Sequence, residues 1–337
     1  VLSTSIRLAI DVMGGDFGPR CIIPAAIRSL ALFPSLHLIL VGSADIITPL
    51  LAAARYSADR VTVVPASEQV LADDLPAQLL RGKPDASMRV ALELVRDGQA
   101  DGCLSAGNTG ALMVLARSVL GMLEGVQRPA IMAALPVAGH DCHVLDLGAN
   151  VDCSAEQLFE FALMGSAAAA ELTGNPNPRV GLLNIGQEVN KGAREVRAVA
   201  VLLAASEQLN YVGHVEGDGL FRGEADVVVC DGFVGNVLLK ASEGVAGYLQ
   251  AEMRDAIEAS RLLRWVSPWV RRSLSAMRQR NDPSRHNGAS LLGLRGVVIK
   301  SHGGAGEQAM LAAIGRAVKA CEADLPARIA QRLQGAR

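Results

Sequence analysis

An α/β protein with a mainly parallel sheet is what this sequence predicts, on three observations. Short apolar runs alternate with helix-length segments along most of the chain, and strands joined through helices pair in parallel with helices on both faces. Aromatics make up only 3% of the 337 residues while half are apolar by type, so the core is aliphatic, as suits helices packed closely on buried strands. Turns rich in Gly, Asn and Asp recur where the apolar runs stop, which is where ligands bind in such sheets.

The strand-like runs are Leu8–Val12, Leu36–Val41, Val61–Val64, Gly102–Ser105, Ala130–Leu135, Val144–Leu147, Val180–Ile185, Val227–Cys230 and Val297–Lys300. Helical segments lie between most of them, at Ile22–Leu32, Met88–Arg96, Thr109–Met122, Ala155–Leu172, Arg194–Ala205 and Gln308–Ala320. No repeat and no Ser/Pro/Gly-rich linker divides the chain, so residues 1–337 form one α/β catalytic unit, in one piece or as two lobes. From Val237 to Gln279 no strand is apparent, and Val245, Leu249, Met253 and Ile257 recur four apart on one helical face. A projecting helical hairpin inserted at 237–280 and broken at Pro268 is expected there.

The formal net charge of −2 gives no overall attraction to nucleic acid. Six cysteines are scattered without CxxC spacing, the usage of reduced core thiols, and point to the cytoplasm. The first residues lead into a buried strand, with no signal-peptide pattern, and no run of about 20 apolar residues calls for a membrane span.

Six strand ends carry the polar turns: Asp11 to Asp16, Ser105 to Gly110, Asp146 to Asp152, Asn184 to Glu188, Asp231 to Asn236 and Ser301 to Gly304. Most precede a helix, so backbone N–H groups and helix N-termini converge on an anion, and a phosphate-handling site is expected. The candidates for binding are Gly14, Gly15, Asp16, Gly107, Asn108, Thr109, Asn150 and Gly186. No turn is a Walker A loop or a GxGxxG followed by its acidic residue. No cofactor is expected.

Lys191 puts an ammonium beside a helix start, as a phosphate ligand or as a solvated lysine. Asn108, Asn150 and Asn236 stand after their strands, where an amide either caps a helix or donates to a developing oxyanion. Asp231 either orients such donors or makes turn contacts, and His302 in the last glycine turn is a catalytic candidate. Cys153 is expected to be a packed thiol, and His140 and His143 lack further ligands nearby, so no metal is expected. There is no GxSxG elbow and no catalytic cysteine signature, so a covalent acyl-enzyme is not suggested. Phosphate is itself a nucleophile, and its attack on a carbonyl carbon needs positioning, charge neutralisation and an oxyanion hole.

In order along the chain stand AIDVMGGDFGP, KPDASMR, SAGNTGALM, RPA, LDLGANVDC, FALMGS, NPRVGLLNIGQE, KG, NYVGHVEG, ADVVVCDGFVGNVLLKASEG and GASLLGLRGVVIKSHG. Together they resemble the phosphate acyltransferase family of bacterial phospholipid synthesis over nearly the whole length. The resemblance implies a Rossmann-like α/β/α sandwich related to phosphotransacetylases and isocitrate-dehydrogenase-like folds, as a homodimer. It also implies an acyl carrier protein thioester as donor, inorganic phosphate as acceptor and acyl phosphate as product. Residues proposed to act in the family correspond to Lys191 and Asn236. It further implies a cytoplasmic protein in peripheral contact with the membrane, with a membrane acyltransferase downstream. The chain departs from the family pattern at Val12, at Gln187 and in Gly303-Gly304-Ala305-Gly306, which weakens any role for polar side chains in that last turn.

Both tryptophans lie in the stretch Leu262, Leu263, Arg264, Trp265, Val266, Ser267, Pro268, Trp269, Val270, Arg271, Arg272, within a run free of acidic residues from Ala259 through Asn281. Leu262, Leu263, Trp265, Trp269, Arg271 and Arg272 suit shallow insertion into an anionic leaflet. Docking of an acidic carrier protein and packing in a dimer interface use the same side chains. Two other functions compete with the family reading: a phosphotransacylase acting on coenzyme A thioesters, and a non-catalytic scaffold that binds carrier protein at the membrane.

Overall fold

The computed structural model describes residues 5–71, 73–74, 79–259 and 283–335. In chain order the elements are β1 (Ile6–Asp11), α1 (Pro19–Leu32), β2 (Leu36–Gly42), α2 (Ala44–Ala52), β3 (Val61–Pro65), α3 (Ser87–Arg96), β4 (Gly102–Ser105), α4 (Thr109–Leu120), β5 (Ala130–Pro136) and β6 (Asp141–Leu145). There follow α5 (Ala155–Thr173), β7 (Arg179–Leu183), α6 (Arg194–Ala205), β8 (Asn210–Val215), α7 (Gly217–Arg222), β9 (Val227–Val229), α8 (Gly232–Ala259), β10 (Ala289–Leu292), β11 (Val297–Lys300), α9 (Glu307–Glu322) and α10 (Leu325–Gln334).

One sheet of 11 strands takes the order β3-β2-β1-β4-β11-β10-β5-β6-β9-β7-β8. The five strands from β3 to β11 are parallel to one another, and so are the four from β6 to β8. Between these blocks β10 is antiparallel to β11 and to β5, and β5 is antiparallel to β6. The two parallel blocks therefore run in opposite directions.

Register decides what that reversal does. Ser290 of β10 pairs with Ile299, next to the last residue of β11, and also with Met132 of β5. On the other side of β5, Ala133 pairs with Val144, next to the last residue of β6. The carboxyl ends of the two blocks thus arrive at one level and face each other across β10 and β5. Turns from both halves of the chain meet there.

Apolar side chains on the two faces of the sheet form two cores. One unites alternate residues such as Leu8, Ile10, Met132 and Leu145 with α1, α5, α9 and α10, and the other unites Ala9, Cys103, Val144 and Val228 with α3 and α4. Strands buried on both faces are uninterrupted apolar runs, as parallel interiors require. Local chemistry sets the helix limits. The Ser154 hydroxyl accepts from Gln157 N–H while Gln157 reaches back to Ser154 N–H, and Gly174 ends α5 in the left-handed region at φ 74°.

Helix α8 runs unbroken from Gly232 to Ala259. Val245, Leu249 and Met253 on it are exposed, at 58%, 53% and 40%, so the apolar stripe seen in the sequence is uncovered in the single chain. The tip residues Leu262, Leu263, Trp265, Trp269, Arg271 and Arg272, with Pro268, lie outside the described residues. Among the described residues no helix is long and apolar enough to cross a membrane.

Two strands escape the sequence reading. Strand β8 is an edge strand, only partly buried and bent at Gly213 with φ 98°, and β10 has four residues. Neither presents the long apolar run that marks a central strand.

Candidate active site

A cleft of about 800 Å³ opens where the two blocks meet. One wall carries Thr109 of α4 with Lys300 at the end of β11 and Ser301, His302 and Gly304 after it, and the facing wall carries Gly148 and Val151 after β6 with Phe233, Asn236 and Lys240 of α8. Ile131, Leu135, Leu147, Phe221 and Leu239 make much of the rest apolar. Three helices, α4, α8 and α9, begin at this cleft. Their first N–H groups and dipoles favour an anion, and the Gly306 cap of α9 supplies no side-chain acceptor for those donors.

The first wall is held by Asp11. Its carboxylate is buried at the end of β1 and accepts Ser87 Oγ at 2.6 Å and Ser105 Oγ at 2.7 Å, while Ser105 Oγ accepts Gly107 N–H at 3.0 Å. Burial pushes the Asp11 carboxyl above its ordinary range, against these donors. The turns after β1, β4 and β11 interlock through Asp16 N–H to Gly303 O and Ser301 N–H to Ser105 O, both 2.9 Å. Gly14 is required by contact: a Cβ there would stand 2.7 Å from Gly107 N and 2.8 Å from Asp11 Oδ2.

Asp146 holds the second wall in the same way. Its Oδ1 accepts Ile131 N–H and Ala149 N–H at 3.0 Å each, and its Oδ2 accepts Asn150 N–H at 2.7 Å and Asn150 Nδ2–H at 2.9 Å. The other Asn150 amide hydrogen goes to Pro129 O at 2.8 Å. Gly235 lets α8 lie against this turn, since a Cβ there would collide with Asp146 O.

The sequence candidates separate on this frame. Thr109, Asn236 and His302 line the cleft. His302 Nδ1 accepts Gly304 N–H at 3.1 Å, so in the neutral ring Nε2 carries the proton. Gly14, Gly15, Asp16 and Gly107 belong to the interlocked turns supporting the wall. Asn108 caps α4, accepting Ala111 N–H at 2.9 Å, and Asp231 accepts Val234 N–H at 2.9 Å at the start of α8. Asn150 is buried with both amide hydrogens engaged, so it is a brace and no donor to an oxyanion. Lys191 and Gly186 do not line the cleft. They follow β7, with Lys191 Nζ 3.7 Å from Glu188 Oε1, because β9 stands between β7 and β6 in the sheet.

A profile of the fatty acid synthesis protein family matches residues 6–328. The chain belongs to that family. Phosphate acyltransferases from Stutzerimonas stutzeri (strain A1501) and Pseudomonas syringae pv. syringae (strain B728a) are 55% and 54% identical to it, over 97% of this chain and 92% and 96% of theirs. Among solved structures, the EutD phosphotransacetylase from Staphylococcus aureus superposes with a TM-score of 0.61 at 16% identity, covering 95% of this chain and 94% of that one. A 4-hydroxythreonine-4-phosphate dehydrogenase from Klebsiella pneumoniae gives 0.51 at 17%, covering 95% and 99%. The fold is thus the isocitrate-dehydrogenase-like α/β fold that the sequence resemblance implies.

Within this family member the sequence reading missed Lys300. Its ammonium donates to Ser301 O and lies 3.5 Å from Ala106 O, and no carboxylate of a described residue is within ion-pair distance. Burial pulls it down to about 8, with Asp11 and Asp16 drawing it back up and Lys240 opposing them. Lys240 instead pairs with Glu243 at 2.7 Å. A half-desolvated lysine among helix N-termini and glycine turns is a receptor for an anion. No cysteine of the described residues lines the cleft, and burial pushes Cys153 up to about 11 and Cys142 to about 12.

Proposed function

We propose that the chain transfers a fatty acyl group from an acyl carrier protein thioester to inorganic phosphate, releasing acyl phosphate. The observation that carries this reading is Lys300, a cation with no carboxylate partner among the described residues, in the wall of a largely apolar cleft. The family membership and the names of the relatives point the same way.

We assign phosphate to the Lys300 end, beside Thr109, the start of α9 and Gly304, and the acyl chain to the wall of Ile131, Leu135, Leu147, Phe221 and Leu239. A hydrogen phosphate oxygen attacks the thioester carbon, Asn236 donates to the oxyanion that forms, and the C–S bond then breaks. The proton of hydrogen phosphate ends on the departing thiol, with His302 as its relay. No acyl-enzyme forms, in keeping with the want of a cysteine in the cleft. Lys191 we assign to the incoming carrier, since it stands exposed on the same edge two strands from Asp146.

A homodimer accounts for the uncovered Val245, Leu249 and Met253 of α8, and the tryptophan and arginine segment after it for peripheral contact with an anionic membrane from the cytoplasm. We place the enzyme one step ahead of a membrane acyltransferase that consumes the acyl phosphate.

The test is to incubate purified protein with acyl carrier thioester and phosphate and to follow a hydroxylamine-reactive product. Phosphate-dependent product is expected from acyl carrier protein in preference to acyl coenzyme A. No product from either donor overturns the reading, and preference for coenzyme A replaces the donor. For the membrane contact, Trp265→Ser with Trp269→Ser is expected to abolish co-sedimentation with anionic vesicles. Undiminished binding refutes it.

A further inference from the structure

A second cavity, of about 490 Å³, lies behind the central strands. Its walls come from the ends of α1 and α5 at Phe33 and Leu172, from α9 at Leu311, and from Met132 of β5. It shares Ala133, Ala134, His286 and Gly288 with the catalytic cleft but opens among helices of the other face.

Its polar lining is unbalanced. Among the described residues, Arg285, Arg316 and Lys319 face it against one carboxylate, Asp141. Arg316 makes no hydrogen bond or ion pair with any described residue, and its Nε is buried without a partner. His143, also on the cavity, is 4% exposed, and its Nδ1 is buried without a partner. A guanidinium taken out of water without its hydrogen bonds is costly, and such groups persist where something else completes them. The direction of titration agrees: burial pulls Arg316 below its ordinary value with Asp141 opposing, and burial with Arg316 nearby pulls His143 down to about 4.

We infer that this cavity binds an amphiphilic anion, a carboxylate or phosphate monoester whose head meets Arg316, His143 and Lys319 and whose apolar part lies on Phe33, Leu172 and Leu311. The site is separate from the reaction. It adjoins it through the segment 285–288, where Arg285, His286 and Gly288 line the cavity while Asn287 Oδ1 accepts His302 N–H at 2.9 Å and its Nδ2 donates to Ser301 Oγ at 2.8 Å.

Calorimetric titration of the full chain with octanoate, octyl phosphate and octanol tests it. Octanoate or octyl phosphate is expected to bind wild type at a site that Arg316→Met weakens at least tenfold and Lys319→Glu several-fold. The better of the two identifies the head group. Lys300→Met, in the cleft, is expected to leave that site in place. If Arg316→Met does not fold, Lys319→Glu on the exposed rim and Ala312→Trp, which fills the cavity, decide. Three results overturn the inference: anion binding indifferent to Lys319→Glu and Ala312→Trp, anion binding lost only with Lys300→Met, or octanol binding as tightly as octanoate.

Discussion

Lys300→Met removes a charge and keeps the stem of the side chain. With phosphate bound, a lysine truncated from a desolvated charge pair costs about 2–4 kcal/mol, the lower part of the range for such truncations, which is about 30- to 700-fold in the KM for phosphate. Without phosphate the same charge is a burden, because burial has pulled Lys300 from 10.5 to about 8. That shift is worth about 3 kcal/mol at most, so the variant is expected to unfold at the wild-type denaturant midpoint or above it while phosphate use collapses. The pH profile gives an independent measure. On the assignment of phosphate to Lys300, the protonated side chain is the one that binds it, so kcat/KM for phosphate is expected to fall as pH rises through about 8. Lys300→Arg is expected to remove that limb from the assayed range, because a guanidinium stays protonated throughout it. For folding the sign is opposite: the unfolded chain holds the lysine proton between about 8 and 10.5 where the folded one does not, so apo stability rises with pH across that window. Hydroxamate formation against phosphate concentration from pH 6 to 10 is the assay. A KM within threefold of wild type in Lys300→Met, or an unchanged limb in Lys300→Arg, refutes the assignment.

Asn236→Ala is expected to lower kcat about 10²- to 10³-fold, the usual loss of one oxyanion donor, with the phosphate KM little changed; a pure KM effect would make it a binding group instead. Lys191→Ala is expected to raise the KM for acyl carrier protein while leaving that for phosphate unchanged, measured by varying each substrate in turn. Asp146→Asn turns a four-fold acceptor into a group with one acceptor oxygen, at a cost of about 2–4 kcal/mol read from urea unfolding. Gly235→Ala forces a methyl into the Asp146 carbonyl oxygen; a soluble variant within about 1 kcal/mol of wild type would show that α8 docks differently.

The architecture was legible because most of its strands are buried on both faces. In β4 and β9 every residue is buried, and β1 has one intermediate position, so the apolar runs stood out and their glycine-rich ends marked the turns. Which turns meet is not a local property. Lys191 and Asn236 look alike in sequence, each in a glycine turn after a strand, and only the order β6-β9-β7 separates them. Lys300 was hidden by being the last residue of an apolar strand. Its meaning comes from β4 at its side and from Asp11, near the other end of the sequence. Of the two hydroxyl partners of Asp11, Ser87 is 76 residues distant and Ser105 is 94, and nothing in the KPDASMR stretch that holds Ser87 tells from spacing that it meets the end of β1.

On the proposed placement between Lys300 and Asn236, the opposed strand blocks give the substrate a second office. The halves of the sheet are joined through β10, which shares two register pairs with β11 and three with β5. A molecule gripped by Lys300 on one block and Asn236 on the other is a cross-brace over that narrow joint. Its binding free energy then adds to the cohesion of the two halves, and the amides of β10 and of residues 285–288 become the natural gauge of whether the enzyme is loaded, by how slowly they exchange with deuterium.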